Sequence, residues 1–224
     1  LAAAMGVSPA IGLMMATGYS ICGASAVAAV EPFAGGSEEE VAVSLSMVTL
    51  CGTLAIVVLP PIGHLLGLDA VSFGAWVGAS VHDVGQVVAA ASTRSSQALR
   101  VATVVKLTRV ILLAPLLAMV ALNARRRHVE TKGAVARPPL LPLFVVMFLV
   151  AVVARTSGVI PDGWLDEIKT LETLLLAMGL FGLGTGVNLR ALVRVGGRPL
   201  VLGLASWMLI AGASLCAIQV AAIE

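Results

Sequence analysis

Gly78–Ser92 reads GASVHDVGQVVAAAS, and in it His82, Asp83 and Gln86 interrupt a run that is otherwise small and apolar. The flanking sequence places this run at membrane depth. An ionisable side chain at the centre of a membrane helix costs about 2.5–3.5 kcal/mol on insertion scales, so it persists there when it faces a bundle interior or a wet cavity. The stretch therefore marks a membrane-embedded site, and the rest of the chain is read around it.

Of the 224 residues, 59% are hydrophobic and 12% charged, with a mean hydropathy of +1.03, which excludes an ordinary soluble domain. The net charge of +2 and 4% aromatic content supply no basic-aromatic patch, so nucleic acid is not an expected partner. Cys22, Cys51 and Cys216 fall in apolar runs without paired spacing and read as buried packing residues rather than disulfide or metal ligands.

Apolar segments long enough for a hydrocarbon core of about 30 Å divide the chain into seven expected spans: 1–30, 41–60, 71–91, 99–122, 140–154, 171–187 and 200–222. Together they make one all-α transmembrane bundle over residues 1–224. Pro60-Pro61 is expected to close the second span. Leu1 opens directly in an apolar run, without an initiator Met, a basic leader or a cleavage region, so the chain reads as the C-terminal part of a longer transporter.

Alternation of the spans puts the two most basic connections on one side. Five Lys/Arg lie between Asn123 and Pro139 and three between Asn188 and Pro199, against Arg94, Arg100, Arg155 and Lys169 opposite. The positive-inside rule then assigns Arg125–Arg137 and Arg190–Arg198 to the cytoplasm and the acidic loop Glu31–Glu40 to the other face.

SICGASAVAAV from Ser20 and SVHDVGQVVAA from Ser80 share Ser, Val and Ala at matching positions. Close helix packing through small residues explains such a match. A sharper reading is a pair of broken helices, with Gly23 and Gly85 as break points, exposing backbone N–H and C=O groups to a protein-lined cavity.

SICGASAVAAVEP, FGAWVGASVHDVGQVVAAAS, VVKLTRVILLAPL and LLLAMGLFGLGTGVNLRAL, in order between Ser20 and Leu192, resemble the sulfate exporter family of YeiH-like bacterial inner-membrane proteins. The resemblance implies a multi-pass inner-membrane transporter of roughly ten helices, of which about the first hundred residues would precede Leu1. It implies export of sulfate or another sulfur oxyanion, and it supports transport better than any one substrate.

The chemistry offers alternatives. His82 and Gln86 share one helix face, while Ser80 and Asp83 share another. His82 and Asp83 either hydrogen-bond neighbouring helices to fix packing or carry a coupling proton, since imidazole titrates near neutrality. Lys106 and Arg109, three apart on one face, either snorkel to the interface or line an anion cavity, where the guanidinium would fork onto an oxyanion.

GLGTGVN, Gly182–Asn188, lacks the strand context of a nucleotide loop and reads as helix packing or a helix end. Asp166, Glu167 and Glu172 read as solvation of a helix start, and His64 and His128 as loop residues outside any hydrolase constellation.

The expected site comprises Ser20, Ser25, Ser80, His82, Asp83, Gln86, Lys106 and Arg109, with no metal and no cofactor. Its expected partners are a small anion, a coupling proton or cation, and the bilayer. The expected function is secondary anion transport rather than catalysis. An intramembrane enzyme or sensor built on His82 and Asp83 is the alternative, weakened by the lack of a second convergent catalytic group.

Overall fold

A computed structural model describes residues 1–126, 143–159, 161–185 and 197–221, and every structural statement below concerns these. They form helices α1 (Pro9–Ser20), α2 (Ala24–Ala34), α3 (Glu38–Leu65), α4 (Ala70–Ser80), α5 (Val84–Ser92), α6 (Ser96–Ile111), α7 (Leu113–Arg126), α8 (Leu143–Thr156), α9 (Leu165–Thr185) and α10 (Gly197–Ala221), with a 3-10 turn at Asp162–Trp164. The all-α transmembrane class holds. Glu38–Leu65, Ser96–Asn123 and Gly197–Ala221 are each long and apolar enough to cross a membrane.

Local chemistry fixes the helix starts. Ser8 accepts from the Ile11 N–H, with Pro9 in the first turn. Ser37 and Glu40 form a reciprocal capping box ahead of three glutamates in the first turn of α3. Asp69 and Ser95 accept from the N–H groups of Ser72 and Ala98 to start α4 and α6. Each satisfies a backbone donor that the helix itself leaves without a partner. Asp69 is solvent-exposed, and the Ser72 N–H holds its carboxyl below the usual carboxylate range.

Helices α1 to α7 and α10 enclose the core, with Met14, Val27, Met47, Cys51, Phe73, Val77, Val87, Ala102 and Leu113 fully buried. α4 lies nearly backbone to backbone on α6. A Cβ added to Gly78 would stand 2.5 Å from the Ala102 carbonyl oxygen, and one on Gly74 would collide with that of Ala98. This small-residue contact brings the long side chains of α6 within reach of the centre.

One of the expected spans is corrected at its end, and three divide into two helices each. Span 1–30 is two helices, α1 and α2, and span 71–91 is also two, α4 and α5. Span 41–60 does not end at Pro60-Pro61: α3 runs on to Leu65, as membrane helices tolerate proline where neighbouring helices and local adjustments satisfy the freed backbone groups. Its end is set by Gly67 at φ +64°, where the Leu68 N–H reaches back to the Gly63 carbonyl at 3.1 Å. Span 99–122 is α6 and α7, joined at Leu112 within one apolar rod.

Cys22 and Cys51 are buried free thiols as expected, whereas Cys216 is exposed on α10. An outward face in contact with lipid is as apolar as the core, so composition does not separate the two. Most of the basic segments 125–137 and 190–198, with His128 and residues 186–188 of GLGTGVN, lie outside the described residues.

Candidate functional site

The two helix interruptions meet at the centre of the molecule. α1 stops at Ser20, and the chain turns through Ile21, Cys22 and Gly23 before α2 begins. Gly23 has φ +73° and ψ −130°, a conformation L side chains rarely adopt, and gives α2 no side-chain cap. α4 stops at Ser80, and Val81 to Asp83 separate it from α5, with Val81 and Asp83 extended at φ −85° and −94°. The break therefore precedes Gly85, which lies within the first turn of α5. Extended backbone suits any residue, so no glycine is needed there. A Cβ on Gly23 would lie 3.4 Å from the Asp83 Cβ, so the two interruptions touch.

An interrupted helix leaves carbonyls at its C-terminal end without intrahelical partners. α6 supplies donors for both. Lys106 is fully buried, and its Nζ donates to the Ile21 carbonyl at 2.6 Å, to that of Val81 at 3.0 Å and to that of His82. Arg109 donates from Nε to the Ser20 carbonyl at 2.9 Å, and its two terminal nitrogens donate to Ala79 at 2.7 Å and Tyr19 at 2.6 Å. Lys106 does not snorkel, and the fork of Arg109 is engaged by main-chain oxygens. Positive charge at the C-terminal ends of α1 and α4 also opposes the negative pole of each helix dipole.

Asp83 caps α5, its Oδ1 accepting from the Gly85 N–H at 2.9 Å, and stays half-exposed. His82 is fully buried. Its Nδ1 lies 3.2 Å from the Tyr19 carbonyl oxygen, and its ring meets the Tyr19 ring edge-on with centroids 4.3 Å apart. Gln86 faces α3, donating to the Thr49 carbonyl at 3.2 Å and to Thr53 Oγ1 at 3.4 Å. His82 Nε2 and Gln86 Oε1 are buried without a hydrogen-bond partner among the described residues.

Of the expected residues, His82, Asp83, Lys106 and Arg109 converge with the carbonyl of Ser20. Gln86 lies beside them against α3. Ser80 is buried, but its hydroxyl donates to Trp76 of its own helix at 2.5 Å, while Ser20 and Ser25 are exposed. Tyr19, Thr49 and Thr53 were not anticipated. Tyr19 is the one tyrosine of the chain and its hydroxyl donates to the Met47 carbonyl at 3.3 Å, a signal composition alone could have raised. No group of three or more His, Cys, Asp or Glu able to hold a metal occurs among the described residues.

A family profile described as Conserved hypothetical protein 698 matches residues 1–203. The chain belongs to that family. A UPF0324 membrane protein of Corynebacterium glutamicum is 41% identical over 203 residues, 91% of this chain and 59% of the relative. One from Agrobacterium fabrum is 33% identical over 207 residues, 92% and 58% of the two chains. The UPF0324 inner membrane protein YeiH of Escherichia coli K12 is 32% identical over 206 residues, 90% and 59%. The resemblance to YeiH-like proteins is thus borne out, and the chain spans about three fifths of the length of these UPF0324 relatives. No solved structure matches. The relatives named as inner membrane proteins and the three membrane-length helices make this a multi-pass protein of the bacterial inner membrane.

Proposed function

We propose that the protein is a secondary transporter of a small anion, with the crossing of the two interrupted helices as its substrate site. The observation that carries the reading is Lys106, fully buried and hydrogen-bonded to the main chain of both interruptions. Helices broken near the membrane midplane are how transporters present backbone groups to a substrate, with N-terminal ends favouring anions. The substrate crosses unaltered, and no chemical step is assigned.

Charge accounting favours an anion. Lys106 and Arg109 contribute two positive charges and Asp83 one negative. The two C-terminal ends add about −0.5 each and the two N-terminal ends about +0.5 each, which cancel. About one positive charge remains. Because the donors of Lys106 and Arg109 are engaged by carbonyls, they act on the anion through potential rather than as a direct fork. Contact falls to the uncapped start of α2 at Gly23, with Ser25 beside it. A coupling proton or cation would enter at half-exposed Asp83, which lies near Lys106 and Cys22. A sulfur oxyanion such as sulfate is one substrate in this class.

Anion flux into proteoliposomes carrying the full chain tests the reading, across sulfate, sulfite, sulfonates and carboxylates. Flux of at least one anion above protein-free vesicles, weakened in Asp83→Asn, is expected. Flux at the protein-free level for every anion would sink it.

A further inference from the structure

The cationic side chains at the crossing are committed, while two side-chain acceptors are left unmet. The three protons of Lys106 go to three carbonyls, and Arg109 is likewise committed to main-chain oxygens. His82 Nδ1 faces the Tyr19 carbonyl, which can only accept, so in the neutral ring Nδ1 carries the hydrogen and Nε2 presents a lone pair. The orientation of the Gln86 amide is fixed in the same way, because Nε2 faces the Thr49 carbonyl and Oε1 is left as the acceptor.

Both unpartnered atoms belong to side chains no more than 1% exposed. They lie beside the same part of α3: Tyr19, packed on the His82 ring, bonds Met47, and Gln86 bonds Thr49. Gly52 of α3 makes room for the Gln86 amide, since a Cβ there would collide with it. Buried polar atoms ordinarily find a partner, and a specific exception calls for an explanation.

Resting on the anion-transport reading, we propose that this crossing binds an oxyanion carrying its own hydrogen-bond donor, a hydrogen-bearing oxyacid anion or a small hydroxy-substituted sulfonate or carboxylate. Negative charge answers the positive charge left at the crossing. Each O–H group brings one hydrogen, so one hydroxyl answers one of the two acceptors, His82 Nε2 or Gln86 Oε1, and a second O–H would answer the other. A fully deprotonated anion such as sulfate brings only further acceptors and leaves both atoms unmet. A site whose buried polar groups need a substrate hydroxyl discriminates strongly against the analogue that lacks it.

The test is equilibrium binding to the full chain in lipid nanodiscs, using hydroxymethanesulfonate and ethanesulfonate, which exchange a hydroxyl for a methyl, with sulfate as third probe. Hydroxymethanesulfonate is expected to bind about tenfold or more tighter than ethanesulfonate and tighter than sulfate. Of Gln86→Met, similar in volume but without the acceptor, and His82→Phe, which keeps a ring against Tyr19, the one that removes the acceptor taking the hydrogen is expected to bring the ratio to within about threefold. Equal affinities for the matched pair, tighter sulfate binding, or a preference that persists in both folded variants would overturn the inference and leave anion transport standing. Binding of none of the three probes would likewise overturn the inference, and the flux assay over the wider anion set decides the transport reading separately.

Discussion

The two interruptions solve one problem by different means. At their C-terminal sides they are alike, since the last carbonyls of α1 and α4 are held by the same two cations of α6. At their N-terminal sides they differ. Break two ends on Asp83, whose carboxylate caps α5, whereas break one ends on Gly23, with a backbone conformation suited to glycine and no side-chain cap on α2. The start of α2 is thus the less compensated positive pole. Near-duplicate backbone architecture yields two electrically unequal ends, which gives the crossing a direction.

The strongest way to break this comparison is to remove what the two interruptions share. Lys106→Met leaves three carbonyls in the interior without their common donor, and hydrogen bonds to charged groups are worth about 1.5–3 kcal/mol each. A loss of about 4 kcal/mol or more is expected, with a lowered unfolding temperature in lipid nanodiscs. Unchanged stability would show that the interruptions hold without α6.

Next in size is Gly23→Ala, at about 1–3 kcal/mol for a side chain forced into this backbone region. The same unfolding measurement reads it, and a cost near zero would mean that break one, like break two, has no need of glycine. Asp83→Ala is expected to cost about 1 kcal/mol through the lost cap, and Asp83→Asn less than half of that because Asn also caps. Equal losses in the two variants would show that the charge, rather than the cap, holds α5.

The smallest effect sharpens the comparison with a cap outside the crossing. Asp69 starts α4 as Asp83 starts α5, but in solvent. Its carboxyl is held below the ordinary range in the folded state by the Ser72 N–H, so its contribution is present above the unfolded value of about 4 and fades as pH falls through the folded one. Hydrogen exchange over Ala70–Phe73 is expected to quicken as pH is lowered through that window, after correction for the intrinsic rate. In Asp69→Asn that response is expected to disappear, and its persistence would assign it to another group.

Much of this was legible in the sequence for reasons that can be named. Ser37 followed three residues later by Glu40, and Ser8 before Pro9, announce helix starts because capping is chemistry local in sequence. Of the two readings the sequence offers for Ser20–Val30, close packing and a break at Gly23, the positive φ of Gly23 selects the break. The second break was read two residues late, at Gly85, because Val81–Asp83 is extended and leaves no compositional trace. Lys106 and Arg109 stood out as charges at membrane depth. Their partners did not, because backbone carbonyls look the same at every position. The orphan acceptors of His82 and Gln86 depend on which atoms of Tyr19 and Thr49 face them, and only three-dimensional packing decides that.

The pin that joins the interruptions also imposes an order on synthesis. Lys106 follows the Ile21 carbonyl it holds by 85 residues and that of Val81 by 25. At about 5–20 residues per second, the end of α1 waits roughly 4–17 s for its partner to be made. Over that interval the first broken helix must be sheltered by the insertion machinery, by lipid headgroups or by water. α6 then enters bearing two charges that lose their cost of insertion only by finding both waiting ends. A ribosome stalled between Val81 and Lys106 would have made the carbonyls of both interruptions without the side chain that fastens them.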